Sequence, residues 1–173
     1  MKDNIIVKPS VEKQFDRFLR QGRVLFFSAP CGFGKTAVAE ALLSSREVLH
    51  LPADSAGFKL PSAEADWQIL LLDDLQDMQE EQDWNALCEL IRSCPERRFV
   101  LLSRGTPPGS LMAFQYTGLM TVLEADDLLF DADDVRRLLR LYGVEAADSE
   151  IDGILKESVG YPLGVAITAR CMS

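Results

Sequence analysis

The stretch from Val24 to Leu43 reads VLFFSAPCGFGKTAVAEALL, and the fold can be predicted outward from it. Its first four residues are aliphatic or aromatic, which is typical of a buried strand. A glycine-containing loop follows from Ala29 to Gly34, and apolar side chains recur at helical spacing from Lys35 onward. A strand, a loop that ends in Gly-Lys-Thr and a helix together predict a phosphate-binding loop.

Each residue type in this loop suits phosphate binding. Gly32 and Gly34 allow the backbone to turn successive N–H groups inward. The helix that begins near Lys35 adds unpaired N–H groups and the positive end of its dipole. The Lys35 ammonium can reach the β- and γ-phosphates of a nucleotide, and the Thr36 hydroxyl can bind Mg²⁺. The residues expected to contact the nucleotide here are Pro30, Cys31, Gly32, Phe33, Gly34, Lys35, Thr36 and Ala37.

Two features of the loop leave alternatives open. Ala29 stands where the pattern G-x-x-x-x-G-K-[ST] has its first glycine, and a glycine-rich turn that binds nothing is the alternative to a phosphate loop. The strand before the loop and the helix after it favour phosphate binding. Cys31 is most simply a filler of the loop; the alternative is a redox-sensitive thiol, because helix N-termini stabilise thiolates.

A second stretch carries two consecutive carboxylates. Gln68 to Asp74 reads QILLLDD, an apolar run of the kind that forms a buried parallel strand with its carboxyl end at a ligand. Asp73 is expected to hold Mg²⁺ together with Thr36, and Asp74 to orient or deprotonate an attacking water. The alternative for this pair is an acidic helix cap.

Arg104 directly follows the next predicted strand, Arg98 to Ser103. Ligands of parallel sheets bind at the carboxyl ends of the strands, so Arg104 is expected to sense a γ-phosphate. An exposed surface arginine is the alternative. Lys35, Asp74 and Arg104 are therefore the candidate catalytic residues.

Strand and helix patterns alternate to about residue 123, and only helix patterns follow. This order predicts a doubly wound parallel sheet with a small helical lid, divided into a nucleotide-binding domain over 1–125 and a lid over 126–173. Residues 52–66 lack periodicity and predict a connecting loop. Helix signals at single positions are Ser10, Asp131 and Asp148 as N-caps, Gly22 as the residue after a helix, and Pro162 as a first helical residue.

Composition limits the classes of partner. The chain has 173 residues and a formal net charge of −9, so binding to nucleic acid by electrostatics alone is not expected. No apolar run is long enough to cross a membrane, and Met1–Asn4 do not begin a signal peptide, which predicts a cytoplasmic protein. The four cysteines form no C-x-x-C pair, which argues against a zinc site.

The motifs resemble one family in order along the chain. Residues 28–36 are similar to the Ser-Ala-Pro-x-Gly-[Tyr/Phe]-Gly-Lys-Thr loop of the large ATP-dependent LuxR-type transcription regulators, typified by the maltose-regulon activator. These regulators belong to the STAND class of signal-transducing ATPases and also carry alanine at the position of Ala29. Residues 72–74 resemble their metal strand, 102–108 their sensor motif, and 160–164 their Gly-Trp-Pro-Ala-Gly motif.

The resemblance implies a switch that binds ATP or ADP with Mg²⁺, hydrolyses ATP slowly and self-associates when ATP is bound. In the family, the proline matching Pro162 lies against the nucleotide, and the segment matching Ile5 to Pro9 helps to enclose the base. The chain departs from the family in two ways: residues 52–66 are too short for its usual insertion, and its DNA-binding regions have no counterpart. The resemblance thus implies an excised nucleotide-binding module or a reduced relative that does not itself bind DNA.

Three other functions compete with the switch. An AAA+-type ATPase similar to replication initiators is the main alternative, since residues 71–76, LLDDLQ, also resemble the metal strand of that group. A small-molecule kinase needs an acceptor pocket and a basic lid, neither of which is evident. A module that has lost catalysis is opposed by the intact residues Lys35, Thr36, Asp73 and Asp74.

Overall fold

The computed structural model describes residues 5–54 and 57–173, so Met1–Asn4 and two residues of the predicted loop, Ser55 and Ala56, lie outside it. Five parallel strands form one sheet in the order β2-β3-β4-β1-β5. Their bounds are β1 Val24–Ser28, β2 Val48–Pro52, β3 Ile69–Asp73, β4 Arg98–Ser103 and β5 Met120–Glu124. The phosphate-loop strand β1 is thus separated from the acidic strand β3 by β4.

Helices connect the strands and form the C-terminal part of the chain. They are α1 Pro9–Gln21, α2 Lys35–Leu43, α3 Glu81–Ser93, α4 Met112–Tyr116, α5 Ala125–Leu128, α6 Ala132–Leu141, α7 Asp148–Ser158 and α8 Pro162–Met172. Single 3-10 turns cover Leu75–Asp77 and Gly109–Leu111. Among the described residues, no helix combines the length and apolarity needed to span a bilayer.

Both faces of the sheet are covered by helices. Leu25 and Phe27 of β1 pack with α1 and α2, whereas Val24 and Phe26 pack with α3 on the opposite face. A strand that is buried on both faces has no solvent side, which explains the unbroken apolar run at 24–27. This arrangement confirms the predicted doubly wound parallel sheet.

A third apolar cluster lies among the C-terminal helices. Val135, Leu138, Ile151 and Val165 pack together there, and Ile6 from the start of the chain packs with them. The segment before α1 therefore crosses from the sheet to the C-terminal helices. This crossing forms one wall of the cavity described below.

The N-cap prediction is correct at Asp131 and wrong at Ser10. The Asp131 carboxylate accepts hydrogen bonds from the N–H groups of Asp133 and Asp134, 3.0 Å each. The Asp134 carboxylate in turn accepts a hydrogen bond from the N–H of Asp131. Helix α1 instead begins at Pro9, with Lys8 as its N-cap. Proline has its φ fixed at a helical value and no N–H to satisfy, so it takes the first helical position, and the N-cap lies at Lys8, two residues before the predicted Ser10.

Two further helix ends differ from prediction. Ala147, not Asp148, is the N-cap of α7, because the Glu150 carboxylate reaches back to the N–H of Ala147 at 2.7 Å. Asp148 lies in the first turn, where it pairs with Arg136 at 2.8 Å. Gly22 is the C-cap of α1 and is extended, with φ −87°, rather than the left-handed residue after the helix.

Candidate functional site

A cavity of about 400 Å³ opens beside the carboxyl ends of β1, β3 and β4. It brings together predicted site residues from four separate parts of the sequence: Cys31, Gly32, Phe33, Gly34, Lys35, Thr36, Ala37, Asp73, Asp74, Arg104 and Pro162. Pro30 is not among the lining residues, and its carbonyl oxygen accepts a hydrogen bond from Lys35.

The loop between β1 and α2 has the backbone that its glycines allow. Gly32 and Gly34 have φ angles of +83° and +76°, which side-chain-bearing residues rarely adopt. Gly34 is the N-cap of α2, so the first N–H groups of that helix, from Lys35 onward, have no partner within the helix. The loop and the helix start thus present backbone donors at the cavity wall.

Among the described residues, only backbone carbonyl groups hold the Lys35 ammonium. Its Nζ donates to the carbonyl oxygens of Ala29 and Pro30 at 2.6 and 3.0 Å. Burial lowers the pKa of Lys35 below its ordinary value, and the nearby carboxylate of Asp73 opposes that shift. A half-buried cation that forms no ion pair with the described residues suits an anionic ligand.

Thr36 and Asp73 place two oxygen ligands side by side. The Thr36 hydroxyl, in the first turn of α2, donates to Asp73 Oδ2 at 2.7 Å. Asp73 ends β3, is 8% exposed, and accepts the N–H of Asp74 on Oδ1 at 2.7 Å. A hydroxyl and a carboxylate are oxygen donors of the kind that Mg²⁺ prefers, so the residues fit that ion.

Asp74 and Arg104 meet at the carboxyl edge of the sheet, and Gln76, whose contacts the sequence did not predict, links them. Asp74 has a left-handed backbone, φ +55°, and its Oδ1 lies 3.5 Å from Arg104 Nη2. The Gln76 amide donates to the same oxygen at 2.8 Å, while Gln76 Oε1 accepts the N–H of Arg104 at 3.2 Å. Gln76 is brought back to Asp74 by the 3-10 turn that follows β3. A three-residue turn has no periodic pattern, so the sequence placed Gln76 in the LLDDLQ stretch at 71–76 but did not predict these contacts.

The far end of the cavity is apolar. Its lining comes from the segment before α1 and from helices α1, α5, α6 and α8 with the residues beside them: Ile5, Ile6, Val11, Leu128, Phe130, Leu138, Pro162 and Ala166. Lys8 ties this segment to the C-terminal helices, since its ammonium donates to the Leu129 carbonyl and lies 3.7 Å from the buried carboxylate of Asp134. A cavity with one polar and one apolar end suits a ligand with charged groups at one end and an apolar ring at the other.

No protein family model matches the sequence, and no curated protein matches it. Several solved structures are similar in fold to this chain. AMPPCP-bound DnaA from Aquifex aeolicus has a TM-score of 0.67 at 18% identity, over 99% of this chain and 63% of that chain. A RuvB variant from Thermotoga maritima has a TM-score of 0.64 at 16% identity, over 95% and 61%.

A third similar structure is a signal transduction ATPase with numerous domains (STAND) from Pyrococcus horikoshii, which carries a tetratricopeptide repeat sensor. Its TM-score is 0.60 at 12% identity, over 93% of this chain and 29% of that chain. The chain therefore spans less than two thirds of the length of each of these three proteins. Together with the parallel sheet and its flanking helices, the comparisons show the fold of P-loop NTPases.

Proposed function

We propose that this chain is the ATP- and ADP-binding switch module of a signal-transducing ATPase, and that it serves as the nucleotide-binding domain of a LuxR-type transcriptional regulator. One observation carries the proposal: Lys35, Thr36 and Asp73 meet at the polar end of a cavity whose other end is apolar. The similarity to a STAND ATPase and to AMPPCP-bound DnaA supports an adenine nucleotide as the ligand.

The proposed phosphate contacts follow from the donors at the polar end. Lys35 turns from the carbonyls of Ala29 and Pro30 to the β- and γ-phosphates, where its charge is compensated. The N–H groups of the loop and of the first turn of α2 bind the phosphate oxygens. Thr36 and Asp73 would hold Mg²⁺, which neutralises charge on the phosphates when bound.

Asp74 is the proposed group that orients the attacking water, and Arg104 the proposed sensor of the γ-phosphate. Arg104 is 56% exposed at its side chain, so it has room to turn from Asp74 to a phosphate. In the present arrangement Asp74 Oδ1 is engaged by both Gln76 and Arg104. A carboxylate held in this way is less available to water, which fits a slow ATPase.

In the proposed switch, residues 1–125 bind the phosphates and residues 126–173 form the lid. Pro162 and Ile6 contact the base from the apolar end, so nucleotide binding sets the position of α8 and of whatever follows it. Self-association in the ATP-bound state belongs to the same proposal. The net charge of −9 supports a module that does not bind DNA directly.

Calorimetry on a Lys35→Ala variant tests the proposal. With Mg²⁺ present, the affinity for ATP is expected to fall at least tenfold, or about 1.4 kcal/mol, because the phosphates lose their main positive charge. Lys13→Ala is the matched control, since Lys13 is an exposed lysine of α1 outside the cavity lining. Equal affinity of wild type and Lys35→Ala would contradict the proposal.

An AAA+-type machine related to replication initiators is the second candidate. The similarity to DnaA and RuvB favours it, as does the LLDDLQ sequence at 71–76. The two candidates differ in assembly, because AAA+ machines act as rings. Light scattering after gel filtration with ATP distinguishes a ring-sized mass from a monomer or small oligomer.

A further inference from the structure

The start of α8 touches the phosphate loop directly. The Tyr161 hydroxyl donates to the carbonyl oxygen of Cys31 at 3.1 Å. Two residues on, the N–H of Leu163 donates to the carbonyl oxygen of Gly32 at 3.2 Å. These two hydrogen bonds join successive peptide groups of the loop to a helix more than 120 residues away in the sequence.

Together with Lys35, these donors occupy four consecutive carbonyls of the loop. Lys35 binds the carbonyls of Ala29 and Pro30, and the start of α8 binds those of Cys31 and Gly32. In a planar trans peptide the carbonyl and the following N–H point in opposite directions. Holding the Cys31 carbonyl therefore fixes the direction of the Gly32 N–H, and holding the Gly32 carbonyl fixes that of the Phe33 N–H.

Tyr161 also packs against the loop without spare room. A Cβ atom added to Gly32 would lie 1.8 Å from Tyr161 Oη and 2.7 Å from Tyr161 Cζ. The rings of Tyr161 and Phe33 lie 5.3 Å apart at an interplanar angle of 60°. The hydroxyl is thus placed over the loop by contacts on two sides, and it is not a freely turning surface group.

We propose that Tyr161 is a positioning residue for the phosphate loop, which it holds in the shape that aims backbone N–H groups at a di- or triphosphate. The inference rests on the proposed nucleotide binding. An ammonium has three donors, so Lys35 bound to phosphates keeps fewer for Ala29 and Pro30. The bonds from Tyr161 and Leu163 then become the main hold on the loop, and they connect phosphate binding to the position of α8.

A comparison of two ligands and two variants tests this role. The dissociation constants of ADP and adenosine are measured by calorimetry, with competition for the weaker ligand, in wild type and Tyr161→Phe. Adenosine carries the base and ribose but no phosphate. Removing one hydrogen bond is expected to weaken ADP binding about two- to tenfold and to leave adenosine binding unchanged. Tyr116→Phe is the matched control, because Tyr116 is 82% exposed and lies outside the cavity lining.

The outcomes separate this inference from the proposed function. Equal loss for ADP and adenosine would place the effect of Tyr161 at the apolar end and overturn the inference. Unchanged ADP binding in Tyr161→Phe, with normal binding by wild type, would overturn it as well. A wild-type chain that binds no ADP would overturn the proposed function, and the inference with it.

Discussion

The two ends of the cavity are built in different ways. The polar end comes from one continuous loop and the ends of two neighbouring strands, and its side chains are fixed by hydrogen bonds such as that from Thr36 to Asp73 at 2.7 Å. The apolar end comes from the segment 5–8, from α1, α5, α6 and α8, and from Phe130 between α5 and α6. The comparison teaches that the proposed phosphate site can rest on local sequence and a rigid sheet, whereas the proposed base site depends on how distant segments pack.

The largest expected effect lies at the polar end. Asp74→Asn should slow ATP hydrolysis about 10²- to 10⁴-fold, because the amide is not a base, while Mg-ATP affinity stays within a few-fold of wild type. Phosphate release and calorimetry measure the two quantities. Asp66→Asn, an exposed carboxylate outside the cavity lining, should change neither. Hydrolysis by Asp74→Asn at the wild-type rate would remove Asp74 from the proposed chemistry.

Gly32 lies where the polar end touches α8, whereas Gly34 does not. Replacing each glycine by alanine therefore separates the cost of backbone strain from the cost of a clash with Tyr161. Gly34→Ala should cost about 1–2 kcal/mol of unfolding free energy for the left-handed backbone alone, since an added Cβ would meet nothing within 4 Å. Gly32→Ala should cost about 2–4 kcal/mol, because the clash with Tyr161 adds to that strain. Urea denaturation without nucleotide measures both.

A double variant separates strain from clash at Gly32. In the Tyr161→Ala background, Gly32→Ala should lose its additional cost, while the cost of Gly34→Ala should not change. An undiminished cost of Gly32→Ala in that background would mean that the packing of Tyr161 does not limit this position.

Arg104→Ala should lower the affinity for ATP about tenfold and the affinity for ADP less than twofold, because only ATP carries the γ-phosphate that Arg104 is proposed to sense. Titration of each nucleotide by calorimetry provides the measurement, and Arg140→Ala on the exposed face of α6 is the control. An equal loss for both nucleotides would show that Arg104 does not distinguish them.

The smallest expected effect lies at the apolar end. Pro162→Ala should speed ADP release several-fold and leave the circular dichroism spectrum unchanged, because alanine is well tolerated at the first position of a helix. Stopped-flow displacement of a fluorescent ADP analogue measures the rate, with Pro61→Ala in the connecting loop as control. If release does not change, Pro162 acts only as the start of α8.

The strand, loop and helix over residues 24–43 and the sheet class could be predicted because their signals are local. Residues 24–36 contain a strand, a turn and a helix start in direct succession, and Asp73 and Asp74 end an apolar run. The order of the strands had no such signal, because a parallel pair is joined by a distant crossover. That β4 lies between β1 and β3, and that Arg104 forms an ion pair with Asp74, became visible only in the structure.

Two N-cap predictions were wrong because neighbouring residues compete for the helix start, and α5 was not predicted because it is short. Ser10 and Asp148 are good N-cap residues, but Pro9 and Glu150 moved the caps to Lys8 and Ala147. The short helix α5 has four residues, too few for a periodic pattern.

The contacts of Gln76 and Tyr161 were not predicted for a second reason. Their partners are Asp74, Arg104 and Cys31, and the last two belong to other parts of the chain that only tertiary folding brings near. No single stretch of sequence carries those contacts.

The hydrogen bond from Lys8 to the Leu129 carbonyl has a consequence for biosynthesis. These residues are 121 positions apart, so the segment 5–8 leaves the ribosome long before its partners in the C-terminal helices exist. At about 5–20 residues per second, that delay is roughly 6–24 s. The sheet can form in this interval, while Ile6 remains exposed until α6 to α8 are made. A nascent chain would therefore form the loop between β1 and α2 before the complete cavity, and the proposed nucleotide would stabilise mainly the chain in which α6 to α8 are present.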